Sequence, residues 1–94
     1  MEIVWRPIAL DDLEQISRYI AEHNPRAADR LRRRIISSVE RLAVLPGLGR
    51  PGRVEETREL VVPNTPYIIA YTVIGAEVMI LSIVHNSRDW PDRF

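Results

Sequence analysis

Apolar positions fall into two blocks with different periods. Between residues 8 and 45 they recur at helical spacing. Ala9, Leu13, Ile16 and Ile20 step by 4, 3 and 4, and Ala28, Leu31, Ile35, Val39 and Leu42 step by 3, 4, 4 and 3. Each stripe predicts an amphipathic helix, the first from Ile8 to about His23, the second from Pro25 to about Leu45. Asn24-Pro25 supplies the second start, because asparagine caps a helix and proline at the first helical position gives up only an N–H that has no partner. Leu45-Pro46-Gly47 ends the pattern. Asp11, Asp12 and Glu14 lie in the first turns of the first helix, where the exposed N–H groups and the helix dipole favour carboxylates. That ordinary role is preferred over an acid pair or a metal site.

From residue 58 the period changes. Arg58–Val62, Tyr67–Ile74 and Val78–His85 are rich in β-branched and aromatic residues and predict three consecutive strands. Pro63-Asn64-Thr65-Pro66 turns between the first two, and Gly75-Ala76 joins the last two as a two-residue II′ hairpin. With Ile74 facing Glu77, pairing back puts Tyr71 beside Ile80, Ile68 beside Ile83 and Pro66 beside His85. Tyr67, Ile69, Tyr71, Val73, Val78, Ile80 and Val84 then share one face, and Ile68, Ala70, Thr72, Met79, Leu81, Ile83 and His85 the other. Neither face is polar. The rest of the chain is too short to cover both, so one apolar face is expected to remain for a partner or ligand. A short strand at Glu2–Arg6, with Ile3 and Trp5 on one side and Pro7 stopping it, is expected to join the sheet. Blocks of helices and strands in the order βααβββ indicate an α+β domain, a two-helix hairpin on one face of a largely antiparallel sheet.

Ninety-four residues, 46% hydrophobic, suit a single domain over residues 1–94. No apolar run approaches the roughly 20 residues that span a bilayer, and MEIVWRP does not read as a signal peptide, so a cytoplasmic protein with no membrane association is expected. Without cysteine there is no disulfide, no thiol nucleophile and no cysteine-bound metal. All 13 basic residues are arginine, which we read as coding bias before chemistry. Net charge is zero but segregated: −3 over residues 1–25, +6 over 26–53 and −3 over 54–94. A neutral total argues against a protein whose main affinity is for nucleic-acid phosphates.

The second helix carries Arg26, Arg30, Arg32, Arg33, Arg34 and Arg41 mainly off its stripe, a solvated face from which Arg30, Arg33 or Arg34 can dock an acidic partner. Gly47, Gly49 and Gly52 spell a literal G-x-G-x-x-G. A dinucleotide site needs a strand before the motif and a helix after it, however, and here the order is reversed. The segment is read as a flexible connector with Arg50 and Arg53 as its only functional candidates. No nucleophile series or metal-ligand spacing is present, and no cofactor is implied. What remains is His85, Arg88, Asp89 and Trp90 at the end of the last strand, with Arg58 on an adjacent one. A histidine beside arginines suits acid–base cleavage of a phosphodiester. The structural reading, in which His85 bonds Asp89 and Arg88 pins the tail, is preferred.

Asp12-Leu13, Ile16 and Tyr19-Ile20, the corner Asn24-Pro25-x-Ala27-Ala28, the loop LPGLGRPG, Thr57-Arg58-Glu59-Leu60, the strand PYIIAY and the ending ILSIVHNSRDWP occur in one order and spacing over nearly the whole chain. Together they resemble the RelE/ParE superfamily of bacterial toxins. The resemblance implies the βααβββ fold and a toxin of a type II toxin–antitoxin pair, neutralised by a cognate ParD-like antitoxin that wraps a segment around it. RelE-like members cut messenger RNA on the ribosome with an arginine in the penultimate strand, another past the last strand, and often a late tyrosine. Here those positions hold Ile68, Arg88 and Phe94, so the ribonuclease set is incomplete. ParE-like members instead inhibit DNA gyrase and share endings like His85-x-x-Arg88-Asp89, the branch this chain is more similar to. The resemblance thus implies a gyrase-inhibiting binding protein that meets nucleic acid only indirectly, with Arg88, Asp89, Trp90 and Phe94 contacting the target and Trp90 exposed. Ile68, Leu81, Ile83, Arg30, Arg33 and Arg34 are the expected antitoxin contacts. The alternative is a ribonuclease working with Arg58, His85 and Arg88, and a third reading is an inactive member kept as a binding module.

Overall fold

Asn24 is the hinge of the helical layer. Its side chain accepts a hydrogen bond from the Ala27 N–H at 3.1 Å and caps the helix that Pro25 opens. In the computed structural model, which describes residues 1–87 and 90–94, α1 spans Pro7–Ala21 and α2 spans Pro25–Val44. Ala9 and Leu13 from α1 and Ile35, Val39 and Leu42 from α2 are buried in one cluster with Val62, Ile69, Tyr71, Val78, Ile80 and Ile83 of the sheet. Arg32 of α2 ties back to Glu14 of α1 at 2.7 Å. Both predicted stripes are therefore the buried faces of an αα-hairpin.

The sheet has five strands, β1 (Glu2–Trp5), β2 (Arg50–Pro51), β3 (Arg58–Val61), β4 (Tyr67–Ile74) and β5 (Glu77–His85), in the order β1-β5-β4-β3-β2. β1 lies parallel to β5 and the other pairs are antiparallel, giving the expected α+β fold. Ile3 and Trp5 pack against the core together, as their alternation requires. Gly75 has φ of 58° while Ala76 does not enter the left-handed region, the pattern of the II′ turn. β2 is the strand absent from the sequence reading, two residues that pair Arg50 with Glu59 and Pro51 with Arg58.

One correction changes the faces of the sheet. Near the hairpin the register is as expected, with Ile74 opposite Glu77 and Tyr71 opposite Ile80. It then slips: Ala70 faces Ser82, so Leu81 is an extra residue on β5, a β-bulge. Beyond it Ile69 faces Ile83, Ile68 faces Val84 and Tyr67 faces His85. A shift of one residue exchanges faces. Ile83 therefore joins the core under the helices, and His85 lies on the same side as Tyr67 rather than opposite to it.

The second face is not left open either. Ile68, Leu81 and Ala70 are 3%, 6% and 0% exposed. Glu59, opposite Ala70, accepts from the Arg53 backbone N–H at 2.7 Å, and the Arg53 guanidinium stands 4.1 Å from the centre of the Trp90 ring. Thr72 donates to the Glu56 carbonyl at 2.8 Å. The connector and the residue at the start of the tail thus cover the side that the sequence left for a partner.

Candidate functional site

Three features stand out, one at the end of β5, one in the connector and one beside α2. The first is a groove of about 780 Å³ between α1 and the last turn of β5. Ile8, Asp12, Ile16 and Tyr19 form its helical wall, Tyr67, Ile83 and His85 its strand wall, and Pro91, Arg93 and Phe94 its rim. Ile8 and Tyr19 are 60% and 67% exposed, so α1 carries a second apolar stripe beside the buried one. The Tyr67 and His85 rings meet edge to face, with centroids 5.3 Å apart and planes at 86°.

Asp12 shapes the floor. Its Oδ2 accepts from the Ser82 hydroxyl at 2.6 Å and from the Ile83 N–H at 3.0 Å. β1 ends at Trp5, opposite Ile80, so beyond that point the outer edge of β5 has no neighbouring strand. The Asp12 carboxylate takes the place of one, satisfying the first outward amide after the bulge. Of the carboxylates read only as helix-start residues, this one clamps α1 to the sheet.

His85 has a defined tautomer. The Ser87 N–H donates to its Nδ1 at 3.1 Å, and the Ser87 hydroxyl lies 2.7 Å from the same nitrogen. A ring nitrogen that accepts an N–H carries no proton, so in the neutral imidazole the proton sits on Nε2. In this arrangement Nδ1 is engaged by Ser87 and Nε2 carries the donor.

The second feature is the connector, and its glycines are packing residues. The Tyr71 hydroxyl, fully buried, donates to the Pro46 carbonyl and accepts from the Gly49 N–H, both at 2.8 Å. A Cβ on Gly49 would stand 2.7 Å from that hydroxyl and 2.9 Å from the Glu59 carbonyl. A Cβ on Gly52 would collide with the Thr57 hydroxyl. Burial pushes the Tyr71 phenol above its ordinary pKa, against the opposing pulls of the Gly49 N–H and the Arg58 guanidinium. Glu59, whose side chain is 2% exposed, is held by Arg50 at 3.1 Å and by the Arg53 N–H. Arg50 and Arg53 therefore hold a buried carboxylate, and the connector is pinned rather than loose.

The third feature is a shallower groove of about 430 Å³ between α2 and the turn after β3, lined by Arg33, Arg34, Arg41, Ser37, Pro63 and Asn64. Arg33 pairs with Asp29 and Arg34 reaches the Pro63 carbonyl at 3.5 Å. Arg30 and Arg41 have no ion pair among the described residues.

The residues singled out from the sequence are only partly brought together. Arg58 is opposite Tyr71, four residues along β4 from Tyr67, the partner of His85. At about 3.3 Å per residue the two positions are on the order of 13 Å apart along the sheet, besides the width of two strands. The Arg58 guanidinium is also bound to the Gly49 carbonyl at 2.8 Å. Arg88 and Asp89 lie outside the described residues. Trp90, expected to be exposed, is half-buried beneath Arg53, stacks edge to face on Phe94 with centroids 6.4 Å apart, and has a buried Nε1. Ile68, Leu81 and Ile83, expected as antitoxin contacts, are inside the chain's own packing. The sequence reading missed Tyr67, Asp12 and Arg41, for which the signals were a tyrosine at the start of a strand, an acid one helical turn before a stripe residue and an arginine facing a turn.

Among the described residues no helix is long and apolar enough to cross a membrane, and no group of three carboxylate or imidazole side chains is placed to hold a metal. A family model described as the ParE toxin of the type II toxin–antitoxin system parDE matches residues 3–90. The Y4kP toxin candidate of Sinorhizobium fredii is 45% identical over 89 residues, covering 95% of this chain and 92% of that protein. Toxin RelE2 of Caulobacter vibrioides is 37% identical over 87 residues, covering 93% and 97%. A structure of the chromosomal ParDE toxin–antitoxin system from P. aeruginosa superposes with a TM-score of 0.82 at 28% identity, covering 90% of this chain and 95% of that one.

Proposed function

Since the chain belongs to the ParE toxin family of type II toxin–antitoxin systems, we propose that it is held inactive by a cognate antitoxin of the ParD kind and, once free, stops growth by inhibiting DNA gyrase. The observation that carries the choice of target is the separation of Arg58 from His85. A ribonuclease would need these groups to converge on one phosphate, and here each is committed elsewhere, Arg58 to Gly49 and His85 Nδ1 to Ser87. Ile68, which the resemblance sets where the ribonucleases carry an arginine, is an apolar side chain and is buried.

Gyrase inhibition then works by binding. Trp90, Phe94, Arg88 and Asp89 form the segment that meets the target, with Arg53 positioning Trp90 from behind. The antitoxin is assigned to the two grooves. Its acidic residues pair with Arg30, Arg33, Arg34 and Arg41 on α2, and its apolar residues enter the groove beside Ile8 and Tyr19. Ile83 lies at the base of the α1 groove, while Ile68 and Leu81 are buried in the chain's own packing and are not assigned to the antitoxin.

The relative named RelE2 keeps a second reading alive, cleavage of messenger RNA with His85 in the aromatic groove. A supercoiling assay with antitoxin-free toxin, run beside an in vitro translation reaction, separates the two.

A further inference from the structure

β1 is an outer edge of the sheet, and the hydrogen bonds that hold it fix which of its backbone groups are unused. The Glu2 N–H donates to the Ala76 carbonyl and the Arg6 N–H to the Ile80 carbonyl, both at 3.1 Å. In a parallel ladder one strand's alternate residues point to the same neighbour. Glu2, Val4 and Arg6 therefore face β5, while the N–H and C=O groups of Ile3 and Trp5 point away from the sheet. β5 is the only neighbour of β1 among the described residues. Those four groups have no place in any ladder among the described residues.

Edge strands of folded proteins are normally blunted by a proline, a bulge or like charges that repel a second strand. Glu2–Trp5 holds no proline and no bulge, and shortness and the single charge of Glu2 are its only guards. The charges at its two ends are instead opposite in sign, Glu2 and Arg6. We propose that this edge pairs with the same edge of a second copy of the chain, joining two sheets across a two-fold axis through Val4.

The register follows from the outward groups alone. An antiparallel pair in which Ile3 faces Trp5 of the second copy uses all four unpaired groups of each chain in two closely bonded pairs. It also sets Glu2 opposite Arg6 of the second copy, twice, and Val4 opposite its own equivalent. Directly opposed residues share a face, so each Glu2–Arg6 pair is a cross-strand neighbour of favourable sign. Shifted by two residues in either direction, the pairing would lose two of the four backbone bonds and both charge pairs. A closed isologous contact of this kind buries both edges and leaves none to propagate. The inference is independent of the toxin's target.

Sedimentation equilibrium of the full chain without antitoxin tests it, with amide exchange by NMR as the second readout. The wild type is expected at the mass of two chains, with the Ile3 and Trp5 amides protected along with Val4. Glu2→Arg alone and Arg6→Glu alone each set like charges opposite one another and are expected to weaken the dimer by about tenfold or more. The pair Glu2→Arg/Arg6→Glu is expected to restore it. Glu2 is exposed and Arg6 makes no side-chain cap to α1, so circular dichroism should report an unchanged fold in every variant. A monomeric wild type, a dimer indifferent to either single reversal, or protection of Ile3 and Trp5 only when an antitoxin is added would overturn the proposal.

Discussion

The carboxylate of Asp12 in α1 accepts from the backbone N–H of Ile83, 3.0 Å away on β5, one residue after pairing resumes at Ser82 beyond the bulge. Without that bond the amide would face a half-buried groove with no strand beside it. Asp12→Ala should therefore cost about 2 kcal/mol, the usual value of a hydrogen bond to a charged group. In a domain of this size that lowers the melting temperature by roughly 10 °C. Asp12→Asn keeps an acceptor and should lose less. Thermal melts by circular dichroism measure both, and an Asp12→Ala protein that melts with the wild type would show that β5 holds its bulge unaided.

Tyr71 and Gly49 should fail together. Gly49→Ala puts a methyl 2.7 Å from the Tyr71 hydroxyl, and the backbone or the ring must move. A loss of about 1–3 kcal/mol is expected, read as a lower urea midpoint. Tyr71→Phe leaves the Gly49 N–H and the Pro46 carbonyl without their partner and should cost a similar amount. In the double variant the losses should fall short of their sum, because both disturb one contact.

The same phenol makes stability depend on alkaline pH. Its native pKa is raised above the ordinary 10.0. Below that value both the folded and the unfolded chain hold the proton, and the contribution is complete. Above it the unfolded chain ionises first, so stability falls as pH rises towards the raised native value. Urea midpoints measured from pH about 9 to about 11 should drop more steeply in the wild type than in Tyr71→Phe. Parallel slopes would remove Tyr71 from this role.

How far the sequence reveals this molecule is best judged from β5. Both helices, their sharp corner and the II′ hairpin were legible because each depends on local signals: apolar period, an asparagine cap, a glycine with positive φ. The bulge was not, because Met79 to Val84 is apolar at nearly every position and carries no alternation to fix a register. Ser82 was the one hint, a lone hydroxyl that requires a partner, and its partner lies 70 residues away. β2 is too short to show a period and contains a proline. Glu59 reads as an ordinary charged residue in a strand, since nothing local says that Arg50 and Arg53 will fold back over it. His85 and Trp90 could be singled out as candidates by residue type, but their surroundings follow from long-range pairing.

Antitoxin binding should depend on the arginines of α2. Arg34→Glu/Arg41→Glu replaces two of the positive charges of the 430 Å³ groove with negative ones. Calorimetry with the cognate antitoxin should show affinity reduced about tenfold or more, and a weaker dependence on salt. Unchanged affinity would place the antitoxin elsewhere.

Trp90→Ala should separate the two binding activities. It removes an aromatic that anchors interfaces well, together with its contacts to Arg53 and Phe94, and leaves both grooves' charged residues in place. Growth arrest on expression should be relieved while the antitoxin still binds. Toxicity equal to that of the wild type would take Trp90 out of the target contact.

The most direct test of the account is DNA supercoiling by purified gyrase in the presence of toxin freed from its antitoxin, with an in vitro translation reaction run in parallel. We predict that supercoiling is lost, or cleaved DNA accumulates, while translation proceeds and added antitoxin reverses the effect. Normal supercoiling with translation arrested and messenger RNA cut would contradict it, and would require His85 to find its catalytic partners in an arrangement different from the one described.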